Sequence, residues 1–191
     1  MDSAYPLSES QQPPQQKRVH WYSYIFVVIV SLLGGVLGIG GAFLGEAGST
    51  GLILGAFLGA PIIEEAFKPI GVFLALVRWP DAFSSHLFTA ILCGLAGLVF
   101  GILEALVYLY VYVPDHTNRF KIYRLTIPLA VHTIASFTVG LGLDRRIVDV
   151  VNKGTPLPRR TRNCYLAGVG IHALFNTTVT IIAVAGLVDF N

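Results

Sequence analysis

Seven residues of this 191-residue chain carry acid–base or ligating chemistry inside apolar stretches: Glu64, Glu65, Lys68, Glu104, His132, His172 and Asn176. The densest group lies in Pro61-Ile62-Ile63-Glu64-Glu65-Ala66-Phe67-Lys68-Pro69, within an oily segment spanning 51–77. An ionised side chain at mid-bilayer costs roughly 2.5–3.5 kcal/mol even on the lenient insertion scale, so adjacent glutamates there need partners. Glu64 and Lys68 are four residues apart and can pair along one helix face, as can His172 and Asn176. Of two close carboxylates, one holds its proton more tightly than the other, which leaves one base and one acid. A histidine and an asparagine amide can then polarise a carbonyl and stabilise an oxyanion. This set suits activation of water. Glu64, Glu104, His132 and His172 can instead hold a divalent metal such as zinc, and the residues leave open whether a metal is used. There is no HExxH, no GxSxG and no Gly-rich phosphate loop before a basic residue. Taken singly, each residue has a plainer role: a packing ion pair, a hydrogen-bonded structural histidine, an asparagine joining helices. Together they are better explained as a site, because Ser and Thr meet structural needs at lower cost.

The elements that must position them are membrane helices. Hydrophobic residues make up 54% of the chain and charged residues 13%, with a mean hydropathy of +0.67. A water-soluble domain of this size cannot hide so much apolar surface. The expected fold is all-α, a polytopic bundle of about five transmembrane helices with a polar site between them. Residues 1–19, rich in Gln, Pro and Ser, read as a disordered cytoplasmic tail, and 20–191 as a single transmembrane domain. A net charge of +2 carries no nucleic-acid signal. Cys93 and Cys164 form no CxxC pair and read as ordinary buried thiols.

Runs long enough to cross a bilayer are expected at about 22–44, 51–77, 86–113, 124–143 and 164–188. The first has Trp21, Tyr22 and Tyr24 as interfacial anchors and a small-residue face at Gly34, Gly38, Gly41 and Gly45, best read as helix packing. That face permits a dimer without requiring one. In the second, Gly51, Gly55 and Gly59 precede the acidic pair, and Pro61 and Pro69 bracket it, so a bend is expected there. Glu104 lies in the third run, which ends in a belt of Tyr108, Tyr110 and Tyr112. His132 and Ser136 lie in the fourth, and His172 and Asn176 in the fifth. Nine basic residues fall on one side of this arrangement and three on the other, which places the N-terminus in the cytoplasm and the C-terminus outside.

With the residues set out, Glu64-Glu65-Ala66-Phe67-Lys68 resembles the EExxK motif of the PrsW family of intramembrane proteases, and Phe100 to Glu104 its FxxxE motif. Val131-His132-Thr133-Ile134-Ala135-Ser136, followed by Gly140-Leu141-Gly142, resembles the family's histidine-bearing motif. Ile171-His172-Ala173-Leu174-Phe175-Asn176 resembles its HxxxN. The wider superfamily includes Rce1-type CAAX-prenyl endoproteases, bacteriocin-immunity relatives and a non-catalytic scaffold subunit of γ-secretase. Lys68 and Glu104, where the CAAX branch has Arg and His, favour the PrsW branch. The resemblance implies an intramembrane endopeptidase acting on a membrane-anchored protein or peptide in the lipid bilayer of the cell membrane. It implies Glu64 as the base, Glu65 in support, His172 and Asn176 binding water or the oxyanion, and Glu104 and His132 completing the site. Two rival readings are a scaffold or substrate-binding subunit on the same fold, and a small proton-coupled transporter in which Glu and His form a relay.

Overall fold

The computed structural model describes residues 20–48 and 58–186. The expected N-terminal tail and the glycines at 51 and 55 lie outside them, as do the side chains of residues 44–48, which include Glu46. The described residues form helices α1 (Trp21–Gly48), α2 (Ala60–Phe67), α3 (Ile70–Arg78), α4 (His86–Val107), α5 (Asn118–Arg124), α6 (Ile127–Leu141), α7 (Arg146–Lys153) and α8 (Arg159–Val184). A short 3-10 turn at Pro80–Ala82 precedes α4, and a π-turn at Tyr108–Tyr112 extends it. This is an all-α polytopic bundle, and the protein is an integral membrane protein. Trp21–Phe43, His86–Tyr112, Asn118–Leu141 and Arg159–Val184 are each long and apolar enough to cross a bilayer.

The second apolar segment is broken. Pro69 has no N–H to return to the carbonyl of Glu65, and its ring crowds that carbonyl, so α2 stops at Phe67 and α3 restarts at Ile70. Lys68 closes α2 by donating its N–H to Glu64 O at 2.9 Å, and Phe73 N donates to Pro69 O at 2.9 Å. The two pieces run antiparallel to α1: Phe26 stacks on Trp79, Gly34 meets Gly71, and Gly41 meets Phe67. A Cβ added at Gly71 would collide with the carbonyl oxygen of Val30, and one at Gly34 would sit 2.6 Å from Gly71 N. The small-residue face of α1 is therefore a packing surface for α2, α3 and α4. Gly71→Ala should lower stability by about 1–3 kcal/mol, because two backbones must part. Gly40→Ala, at an exposed position with nothing within 4 Å, should leave it unchanged or raise it. Thermal melts of both variants in one detergent check this.

Three boundaries differ from the sequence expectation. The stretch 118–123, which falls between the expected runs, is helical together with Arg124. Thr117 caps it, accepting from Phe120 N at 3.2 Å. Pro128 cannot bond back to Arg124, so the chain breaks at Leu125 and Thr126 before α6 begins. The last span starts at Arg159 rather than at residue 164, because the arginines of its first turns are accommodated on the helix outside the apolar stretch. The loop between them contains α7, whose Ile147 is buried against the bundle. Ahead of α7, Asp144 accepts from Arg146 N at 2.8 Å and from the Arg146 guanidinium. Partial burial pushes the Asp144 carboxyl up, and those hydrogen bonds outweigh it and hold the group below its ordinary value.

The apolar core, built on Val27, Val72, Leu76, Phe83, Leu92 and Ile147 among others, fills the half of the bundle nearest α7. The polar residues gather beyond it, deeper in the bundle. Gly97 lets α4 and α6 meet closely there, since a Cβ would strike His132 O and the Ser136 side chain.

Candidate active site

Five segments, α2 with the residue after it, α4, α5, α6 and α8, bring charged or imidazole side chains to one place. From α2 come Glu64 and Glu65, 6% and 0% exposed, and just after it comes Lys68, 0% exposed. Residues 64 and 65 point roughly 100° apart on a helix, so only one of them can face a given neighbour. Glu65 faces the bundle centre. Its Oε1 accepts from Lys68 Nζ at 2.6 Å and from His172 Nδ1 at 3.0 Å, and its Oε2 accepts from Ser136 Oγ at 3.0 Å. One carboxylate thus ties α2 to α6 and α8. Tyr165 adds a second tie, donating to Ile62 O at 2.7 Å.

Lys68 Nζ lies at the centre. It is 2.6 Å from Glu65, 3.2 Å from Glu64 and 2.8 Å from His132 Nδ1, and it sits over the Phe100 ring at 4.1 Å from the centroid. An ammonium only donates, so Nδ1 of His132 is an acceptor and the ring proton is on Nε2. That Nε2–H donates to Glu104 Oε2 at 2.7 Å. Glu104 is paired in turn with Arg124 Nη2 at 3.2 Å, and the Arg124 guanidinium lies over the Tyr108 ring at 3.6 Å. A continuous polar chain therefore runs from Arg124 through Glu104, His132, Lys68 and Glu65 to His172.

Glu64 behaves differently. Its Oε2 is buried, makes no hydrogen bond among the described residues, and faces His172 Nε2 at 3.8 Å. The Lys68 contact at 3.2 Å is an ion pair without hydrogen-bond geometry at that oxygen. Beside it lies a cavity of about 40 Å³ lined by Ile39, Ala42, Phe43, Glu64, Glu104 and Tyr108 among others. That volume exceeds the roughly 10–15 Å³ needed to hold a water.

Of the residues expected from the sequence, Glu64, Glu65, Lys68, Glu104, His132 and His172 converge. Asn176 does not join this network. It lies one turn beyond His172, half-buried; its backbone carbonyl accepts from Thr180 Oγ1 at 2.9 Å, and among the described residues its side-chain amide has no hydrogen bond. Of the four possible metal ligands, Glu64, His132 and His172 have ligating atoms within 4.8 Å of one another, whereas Glu104 falls outside that group, engaged by His132 Nε2 and Arg124. One carboxylate and two imidazoles with room for a further ligand form the donor set of a catalytic divalent-metal centre. The Nδ1–H of His172 on Glu65 is the outer-shell contact that fixes such a ligand's tautomer. Arg124, Ser136 and Phe100 join the site without having been named as site residues. Phe100 and Ser136 stand in the motifs that carry the family resemblance, and Arg124 reads from sequence as the basic residue that opens the fourth run.

Residues 19–190 match the family model described as PrsW family intramembrane metalloprotease. No curated protein and no solved structure matches the chain.

Proposed function

Since the chain belongs to the PrsW family of intramembrane metalloproteases, we propose that it is an endopeptidase that cleaves a membrane-anchored protein or peptide, with Glu64 as the base that activates water. The observation that carries this reading is the buried Oε2 of Glu64, which among the described residues has an ion pair to Lys68 but no hydrogen bond, in a residue that lines a water-sized cavity. A buried carboxylate oxygen without a donor is costly unless water or substrate supplies one. His172 donates from Nδ1, so its Nε2 presents a lone pair 3.8 Å from the Glu64 oxygen. A water between them donates one hydrogen bond to Glu64 and the other to His172 Nε2 and turns a lone pair to the scissile carbonyl; the proton facing His172 stays on the attacking oxygen. Glu64 takes one proton as the C–O bond forms and returns it to the leaving amine as the C–N bond breaks. Glu65 holds the His172 ring in the required tautomer. The Asn176 amide, uncommitted within the bundle, is the donor for the oxyanion. A divalent ion held by Glu64, His132 and His172 would supply Lewis acidity and a more acidic bound water.

The cavity admits water but no peptide, so a substrate enters where α1 (Ile39, Ala42, Phe43) parts from the end of α4 (Val107, Tyr108, Tyr112). Arg78, Arg145, Arg146, Lys153, Arg159, Arg160 and Arg162 gather at the opposite end of the bundle. By the positive-inside rule that end is cytoplasmic, as is the N-terminus, and the site faces the outer half of the cell membrane.

Purified protein in nanodiscs, incubated with a membrane-protein extract, should generate new N-termini detectable by mass spectrometry. His172→Ala, matched by thermal melt, should not. Termini common to both samples, or absent from both, would sink the proposal, and absence from both would favour a scaffold on the same fold.

A further inference from the structure

The fit of a metal to this site is incomplete in one place, and the obstacle is a residue of the chain itself. Neither nitrogen of His132 has a free lone pair. Nδ1 accepts from Lys68 Nζ at 2.8 Å, and Nε2 spends its proton on Glu104 at 2.7 Å. A metal ligand must offer a lone pair, and the one on the Glu64 side is Nδ1, because the ammonium that touches it also lies 3.2 Å from Glu64. An ion bonded to both at about 2.0–2.2 Å would occupy the ground held by Nζ. Two cations cannot share that space. His172 shows the contrast. Its Nδ1–H is engaged by Glu65, and its Nε2 faces Glu64 at 3.8 Å, where no cation stands against it among the described residues.

Lys68 also has somewhere to go. Its ammonium is 2.6 Å from Glu65 and over the Phe100 ring. Rotation toward those two releases Glu64 and His132 without leaving the charge unpartnered.

We infer that Lys68 is the site's built-in cation and competes with a divalent metal for His132, so that this lysine sets the metal affinity of the centre. The inference concerns the metal of the proposed active site but is read by binding. It can therefore fail while proteolysis stands, and hold while proteolysis fails.

The test is Co²⁺ and Zn²⁺ affinity of the full chain in detergent, measured by competition with a chromophoric chelator. Lys68→Met should bind at least about tenfold more tightly than wild type, the lower end of what a removed outer-shell partner does to metal affinity. Lys68→Arg, which keeps the charge, should bind no more tightly than wild type. His132→Ala should leave wild-type affinity within about twofold and weaken the Lys68→Met protein by about tenfold or more. Folded Lys68→Met protein that binds no better than wild type would overturn the inference. So would a His132→Ala loss as large in wild type as in the Lys68→Met background. Should Lys68→Met fail to fold even with zinc present, histidine ¹⁵N spectra of wild type decide. Sub-stoichiometric zinc should move the His172 ring resonances and spare those of His132; simultaneous movement of both rings overturns the inference.

Discussion

Glu64→Gln is expected to lower the cleavage rate of any accepted substrate by about 10²–10⁴-fold, the range that a positioned general base contributes. The change is nearly isosteric, and Glu64 Oε2 makes no hydrogen bond that the amide would forfeit. The loss should therefore appear in kcat, while the thermal midpoint falls less than in Glu65→Ala, because the Lys68 ion pair given up is the longer one, 3.2 Å against 2.6 Å. Glu64→Asp keeps the charge and withdraws it by one methylene from a cavity only about 40 Å³ in volume, so it too should be strongly impaired. Single-turnover cleavage of a labelled membrane peptide measures both. Activity of Glu64→Gln within tenfold of wild type would show that this carboxylate is not the base.

The second large effect is on stability, and it falls on the neighbouring residue. Glu65→Ala should cost about 3–5 kcal/mol, the usual penalty for removing one partner of a buried ion pair. It strands the His172 Nδ1–H and the Ser136 hydroxyl, and it deprives Lys68 of its shortest ion pair. Three helices lose their common anchor. Glu65→Gln keeps the Ser136 contact and should lie between the two. Reversible unfolding in mixed micelles gives the free energies. Wild-type stability of Glu65→Ala would mean that α2, α6 and α8 hold together without the polar centre. The adjacent glutamates thus divide their work: one is expected to fail in catalysis and the other in folding.

Much of this site is legible in the sequence because membrane-embedded charge is conspicuous. Six of the seven singled-out residues meet. What the sequence did not resolve is helical phase. Spacing places Lys68 within reach of Glu64 or Glu65, and the structure gives the shorter contact to Glu65, because that carboxylate points inward. The same limitation affects Asn176, which shares a face with His172 yet lies a turn too far along α8 to join the network. Glu104 was grouped with the metal ligands because its depth matches theirs. Depth does not reveal that its carboxylate is already engaged by His132 Nε2 and Arg124. Arg124 reads as the interfacial cation that opens the fourth run, because Pro128, four residues on, hides the helix before it that turns this side chain inward.

The break at Lys68 and Pro69 bears on how the protein is made. Neither α2 nor α3 is long enough to cross a bilayer alone, and the junction carries Glu64, Glu65 and Lys68 into it. At about 2.5–3.5 kcal/mol for each such charge, this segment is a poor candidate for independent release from the translocon into lipid. Its glycine contact with α1 lets the two enter as a hairpin, while the charges still lack Ser136, His132 and His172, which are synthesised later. Membrane integration is therefore completed only when α8 emerges, and chains truncated before it should be exposed to quality-control proteolysis.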